Sequence, residues 1–450
     1  MTRLSDHYGF EISTADPVAA KAFDDGAQSF VAWRADAIGH LNKAIEADPN
    51  FPLPRILKAW ILHSARTAKF NAAVDALLEE AAPAVADAPE RERALADAVR
   101  IAHEGNLRAG VSLLETHVAT HPTDILAHRL LQFELFWSGE SIWMRDIVER
   151  AAPAWTETTP DFAQFQAVRA FSNEEAGEYQ TAERCGRDSV DREPESAWGA
   201  HAVAHVLVMQ GRIDDGVNWL ENLCGNWERA NQIAHHNWWH LCLFLLERGE
   251  HDRILELLDT RVRNPESPLV KAMPDATIDL QNVASLLKRL ELRGIDVGGR
   301  WKTIANFCAE RVTDHDNPFS SAHDAIALSA VGRHDLVDEL AGNMRRVGIE
   351  TGPLGNATRS LGAPLVEAMG AHGEGDHERV VNLLWPIRRE LAQIGGSHAQ
   401  RDLFFQVLVD SATRAGRDVQ LSVLLQDISG IGFRRVTERT LYRDALARAA

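Results

Sequence analysis

Two histidine pairs stand at a spacing that could do chemistry. AHAVAH sets His201 and His205 four residues apart, and HHNWWH sets His236 and His240 four apart, with His235 adjacent. Residues at i and i+4 share one face of a helix. Two such pairs on neighbouring helices could offer four imidazoles to a divalent metal ion. Neither pair carries the glutamate of HExxH, so the metalloprotease motif is absent. With Trp198, Trp238 and Trp239 as apolar walls, the same rings could orient a small organic molecule or a peptide. An imidazole that titrates near neutrality beside an orienting acid could serve as general acid or base. The plain alternative is that each ring is a core histidine satisfied by carbonyls and neighbours.

Distance to the next turn glycine ties further residues to these pairs. His201 and His205 lie ten and six residues before Gly211, and His236 and His240 lie thirteen and nine before Gly249. His323 lies nine before Gly332, the register of His240. In GGSHAQRD, Ser397 can cap the following helix, and His398 and Arg401 share a face in its first turns, with Asp402 beside them. The expected ligand-binding set is therefore His201, His205, His236, Trp239, His240, His323, His398, Arg401 and Asp402. If the site is catalytic, His240, His205 and His323 are the candidate bases, with Asp324 or Asp402 as orienting acid. A metal, if bound, would sit among His201, His205, His236 and His240. No cofactor is otherwise expected. Glu174 and Glu175, just before a turn glycine, read as a solvated helix end, and Ser285 as a packed hydroxyl. Neither GxGxxG, a P-loop nor GxSxG occurs.

The elements that position these residues form a repeat. AIGHLNKAIEADP, GVSLLETHVATHP and AERCGRDSVDREP align, each with a small residue twelve positions before a proline, and their starts differ by 73 and 72 residues. That is about two units of a repeat of roughly 34 residues or slightly more. The small residue lets the second helix of a hairpin pack closely on the first, and the proline ends it. Turns containing Gly177, Gly211, Gly249, Gly332 and Gly416 recur between helices, and glycine suits the left-handed position there. In WWHLCLFLLERG the apolar spacing is helical and nearly all round, which predicts a helix buried between neighbours. No segment shows a clean strand–turn–strand pattern. The class expected is all-α, a tetratricopeptide-like solenoid of helical hairpins. It would run continuously over 1–450, with sub-blocks near 1–160, 161–265 and 275–429 and a terminal capping segment 430–450. NPESP and DHDNPF read as loops between blocks.

Composition bounds the partners. The 450 residues carry a net charge of −18, with no long Lys/Arg run. Nucleic acid and anionic membrane surfaces are therefore not expected as partners. Four cysteines, Cys185, Cys224, Cys242 and Cys308, form no CxxC pair and read as small buried thiols. The first ten residues lack a signal-peptide core, and no run approaches a membrane span, so a cytoplasmic location is expected. Association with a second copy is compatible with such an array.

Several long strings resemble the tetratricopeptide repeat protein 38 family. They are DPVAAKAFDDGAQSF, AIEADPNFPLPRILKAW, ESAWGAHAVAHVLVMQGRIDDGVNWL, HHNWWHLCLFLLERGEHDRILELLD, ASLLKRLELRGIDVGGRW and GGSHAQRD. The resemblance implies a helical solenoid and brings no substrate, cofactor or catalytic residue with it. The chain departs from the family pattern at Gln166 and Arg169, at Leu258 within the string leading to DTRVRNPESP, and in GFRRVTERTLYRD.

These observations combine into one expectation: a soluble ligand- or partner-binding solenoid whose concave face holds a histidine- and tryptophan-rich pocket. The alternative is a small-molecule enzyme, a hydrolase or lyase, working through the same histidines.

Overall fold

Capping residues and prolines place the helix boundaries where the sequence puts them. In the computed structural model, which describes residues 4–314, 316–347, 352–430 and 439–449, Asp16 accepts from the Val18 and Ala19 amides to start helix Pro17–Val31. Asp124 does the same for Ile125–Trp137, and Ser397 with Gln400 forms a reciprocal capping box at His398–Arg414. Helices Ala37–Ala47, Leu107–Thr120 and Tyr179–Arg192 stop just before Pro49, Pro122 and Pro194. The turn glycines at 177, 211, 249, 332 and 416 all have positive φ, between 65° and 83°.

The fold is all-α, built from antiparallel helical hairpins of the tetratricopeptide type. Its small exception is a two-stranded ladder pairing Leu4–Ser5 with Glu11–Ile12. The chain divides into two compact units. The first runs up to Ala202 and includes Asn226–Ile233. Its hairpins are Pro17–Val31 with Ala37–Ala47, Leu53–His63 with Asn71–Val85, Glu90–His103 with Leu107–Thr120, Ile125–Trp137 with Ser141–Ala151, and Phe162–Glu175 with Tyr179–Arg192.

The second unit comprises Val203–Gly225 and the chain from Ala234 onward. Its hairpins include Thr277–Glu291 with Lys302–Ala309, Pro318–Ala330 with His334–Arg346, Ala363–Glu374 with His377–Ile387, and His398–Arg414 with Asp418–Gly430. The first helix of each hairpin is the more deeply buried. Pro318 to Ser329 are all buried, as are Asp279 to Leu287. Thr277–Glu291 packs on both Pro318–Ala330 and His398–Arg414. Of the expected capping segment, residues 431–438 and 450 lie outside the described residues, and Thr440–Ala449 is a helix. Among the described residues no helix is long and apolar enough to cross a membrane.

Close packing between helices Ile213–Leu223 and Ile233–Arg248 gives a testable contrast. A Cβ on Gly216 would run into the Phe244 ring, whereas one on Gly39 would meet nothing within 4 Å. Phe244 is fully buried and has no room to move aside. Gly216→Ala is expected to destabilise the protein by about 1–3 kcal/mol through overpacking, and Gly39→Ala to stabilise it by about 0.5–1 kcal/mol through helix propensity. Urea midpoints of the two variants, shifted in opposite directions from wild type, are the check. A higher midpoint for Gly216→Ala would contradict the packing shown.

Candidate functional site

The unit boundary falls within helix Ala197–Met209, between Ala202 and Val203. His201 therefore belongs to the first unit, where its ring stacks on Trp198 at 4.5 Å and Phe171 at 5.4 Å. His205, one turn later, belongs to the second.

In the second unit the rings of His205, His236 and His240 lie side by side. His240 has its ring centroid 4.4 Å from that of His205 and 4.9 Å from that of His236. Each of the three offers a ring nitrogen within 4.8 Å of the others. All three rings are buried, at 0–3% exposure. Trp239 forms their common wall: His236 stacks flat on it at 4.8 Å, and His240 meets it edge-on at 4.7 Å.

Helix Thr277–Glu291 supplies the backing. The His236 Nδ1–H donates to Asn282 Oδ1 at 2.7 Å. That bond selects the tautomer with a bare Nε2, the form that donates a lone pair to a metal. Burial pushes His236 down to about 3 against the Asn282 bond, so the ring is neutral throughout the physiological range. Asp279 holds His235 Nδ1 at 2.9 Å, fastening the start of the Ile233–Arg248 helix. Ser285 Oγ accepts from Trp239 Nε1 at 3.2 Å and from the Arg289 guanidinium. Arg289 lies 5.7 Å from the Trp239 ring and donates to the Ala399 carbonyl at 3.0 Å. Burial draws it down to about 10, with Asp402 opposing.

The other sequence candidates have different partners. His323 Nδ1 donates to the Phe319 carbonyl at 2.8 Å, and its ring lies against Phe319 and Phe404. Burial takes it down to about 4. Asp324 receives Arg311 Nε at 3.2 Å and the Cys308 thiol. Asp402 accepts from Arg439, Tyr442 and Gln406. Each acid is thus engaged away from the three-histidine cluster. Arg401 reaches the carbonyls of Gly395 and Gly396 and the His398 ring, tying down the loop before its helix. Trp238 lines a separate hollow of about 620 Å³ with Cys224, Arg253, Glu256 and Arg261. Glu174 and Glu175 are buried, at 0% and 5% exposure, so the expectation of a solvated helix end was wrong. Their helix, Phe162–Glu175, buries nine of its residues besides, and its end is enclosed with the rest.

The cavity bounded by Phe244, Arg289, Asp402 and Gln406 measures about 30 Å³, room for a water or two but not for an organic ligand. Sequence reasoning missed Asn282, Asp279 and Arg289. The signal was present: Asp279, Asn282, Ser285 and Arg289 recur at three- and four-residue steps along an otherwise apolar helix. A separate group, His372, His377 and Asp410, is half-buried and also places three ligand atoms within 4.8 Å.

No family model matches the chain. Among solved structures, it is similar to the human IFIT1 dimer with PPP-AAAA, at 13% identity over 99% of this chain and 97% of that one, with a TM-score of 0.43. It is also similar to yeast Tom70, at 12% identity over 97% of each chain and a TM-score of 0.35. The TPR domain of P58(IPK) aligns at 11% identity over 96% and 97%, with a TM-score of 0.22.

Proposed function

We propose that this chain is a helical-repeat binding scaffold of the tetratricopeptide repeat protein 38 family, and that His205, His236 and His240 bind one divalent transition-metal ion. The observation that carries the reading is the buried cluster itself: three ring nitrogens within 4.8 Å, one of them aimed by Asn282. Imidazole suits Zn²⁺ and its neighbours in the first transition row, and a three-histidine set leaves a coordination position for water or a fourth group. An ion needs no ligand-sized cavity, which favours it over the organic molecule expected at the histidines. General acid–base catalysis has less support, because burial draws His323, one of the candidate bases, down to about 4 and neither Asp324 nor Asp402 orients a cluster histidine. The peptide or small organic partner of such a scaffold has space instead at the 620 Å³ hollow beside Trp238 and Arg261. We place the protein in the cytoplasm and, given its charge of −18, do not assign it a nucleic-acid partner.

The test is calorimetric titration of chelator-stripped full-length protein with Zn²⁺. One site is expected whose occupancy is abolished by His240→Leu and by the His205→Ala/His236→Ala pair, and unaffected by Asp410→Asn. Asn282→Ala should weaken binding by about 10–100-fold, as loss of an orienting partner does. Circular dichroism separates lost binding from lost folding. No Zn²⁺ uptake by wild type, or uptake removed by Asp410→Asn and retained in His240→Leu, would overturn the assignment.

A further inference from the structure

In the first unit a second arrangement calls for a ligand of opposite charge. Arg129, in helix Ile125–Trp137, is 3% exposed. Among the described residues no carboxylate pairs with it. Its one polar partner is Gln132 Oε1, which accepts its Nη1–H at 2.9 Å. That oxygen also accepts from Trp198 Nε1 at 3.1 Å, so both its lone pairs are used. The Gln132 amide is spent on the Val168 carbonyl and Ser172 Oγ. Arg129 Nε is left buried with no acceptor.

Aromatic faces surround the guanidinium. Its carbon lies 4.5 Å from the Trp33 ring, 5.4 Å from Trp198 and 5.8 Å from Phe30. Cation–π attraction offsets only part of the cost of taking a charge out of water. Burial, with nothing opposing it, draws Arg129 down to about 9. The stacked partner repeats the pattern: Trp33 Nε1 is also buried with no acceptor. Trp33 is held at φ +57°, a strained value for a bulky residue, by hydrogen bonds to Phe30 and Asn231. A buried unpaired cation and a buried unpaired N–H, stacked together, are what a bound anion would explain.

We propose that Arg129 and Trp33 form a buried site for one small monovalent anion, a halide or a carboxylate the size of formate. Its single charge neutralises the guanidinium, and it accepts hydrogen bonds from Arg129 Nε and Trp33 Nε1. The free edge of the guanidinium fits a planar carboxylate by two parallel N–H bonds, while a halide needs only convergent donors.

The experiment is thermal unfolding at constant ionic strength, titrating chloride and formate separately against a large, weakly coordinating anion. Wild type should gain about 1–2 °C in Tm at ten times Kd, and the anion with the lower half-saturation is the favoured ligand. Trp33→Phe keeps the ring and removes the N–H, so it should weaken the response by about tenfold. Arg129→Met should abolish the response. In the anion-free buffer it should melt at or above the wild-type temperature, because the uncompensated charge is gone. Bromide soaked into crystals should give an anomalous peak within about 3.5 Å of both nitrogens. Identical anion responses in wild type and both variants, or no peak at the site, would overturn the proposal.

Discussion

Asp402→Ala is expected to lower the stability of the second unit by about 3–5 kcal/mol, the cost of leaving a buried charge without its partner. Asp402 is 2% exposed and accepts from Arg439 through both oxygens, at 3.0 and 2.5 Å, from Tyr442 at 2.5 Å and from Gln406 at 2.7 Å. Burial alone would raise its carboxyl, but Arg439 beside it and the field of Arg289 outweigh that and hold it below the usual range. Removing the carboxylate takes from Arg439 its nearest acid, with Glu247 farther off at 3.6 Å, and it takes from Arg289 the charge that steadies a guanidinium already drawn down by burial. Arg289 in turn positions Ser285 and packs on Trp239, so the wall of the histidine cluster should loosen as well. Asp402→Asn keeps most of the shape and some of the hydrogen bonds and should recover part of the loss. Urea unfolding, with a midpoint lowered by more than about 1 M for the alanine variant, is the measurement. A variant within about 0.5 kcal/mol of wild type would show that the network contributes no more than an ordinary surface contact.

That network shows why a sequence reading stops where it does. Helical class was legible because it rests on local rules. The left-handed glycines after first helices and the prolines after second helices act within a few residues, and all those singled out occupy their expected places. The meeting of His205, His236 and His240 was legible too, because it needs only the i, i+4 rule and distances from the turn glycine that differ between the two helices by three residues, nearly one helical turn. The rest depends on tertiary pairings. His236 and Asn282 are 46 residues apart, and Arg289 reaches Ala399 across 110. Nothing in the GGSHAQRD string tells whether Arg401 faces a ligand or closes back on Gly396. Register arguments also assumed an open inner face. Once helices Thr277–Glu291, Pro318–Ala330 and His398–Arg414 pack on one another, that face becomes interior. His323, Arg401 and Asp402 meet protein partners there, and a roomier hollow lies at Trp238.

In the first unit, Asp124→Ala should produce a loss of similar size, for two reasons that can be separated. Asp124 is fully buried and takes Arg91 by two bonds, at 2.7 and 3.1 Å, with His117 Nε2 at 2.9 Å. It also caps helix Ile125–Trp137 through the Ala127 amide. The cap contributes about 1 kcal/mol, and the exposed need of Arg91, still held by Asp6 at 2.7 Å, brings the total to about 3–5 kcal/mol. Asp124→Asn keeps the cap and loses the charge, so the difference between the two variants isolates the capping part. The pH dependence has a definite sign. Burial would raise the Asp124 carboxyl, but Arg91 and His117 pull it far below its ordinary value. A carboxyl with a lowered folded-state pKa contributes stability above its unfolded pKa of about 3.9 and loses it as pH falls toward the folded value. Asp6 runs the other way. Burial raises it despite Arg91, so its protonation begins at higher pH and slightly favours the folded state. Wild-type stability should therefore hold or rise slightly as pH drops toward about 4, then fall steeply below it. Asp124→Asn, already lacking the charge, should show a shallower fall over the same range. Denaturant titrations at pH 6, 4 and 2.5 compare the slopes, and parallel curves for wild type and Asp124→Asn would rule out Asp124 as the group that sets the acid limit of this unit.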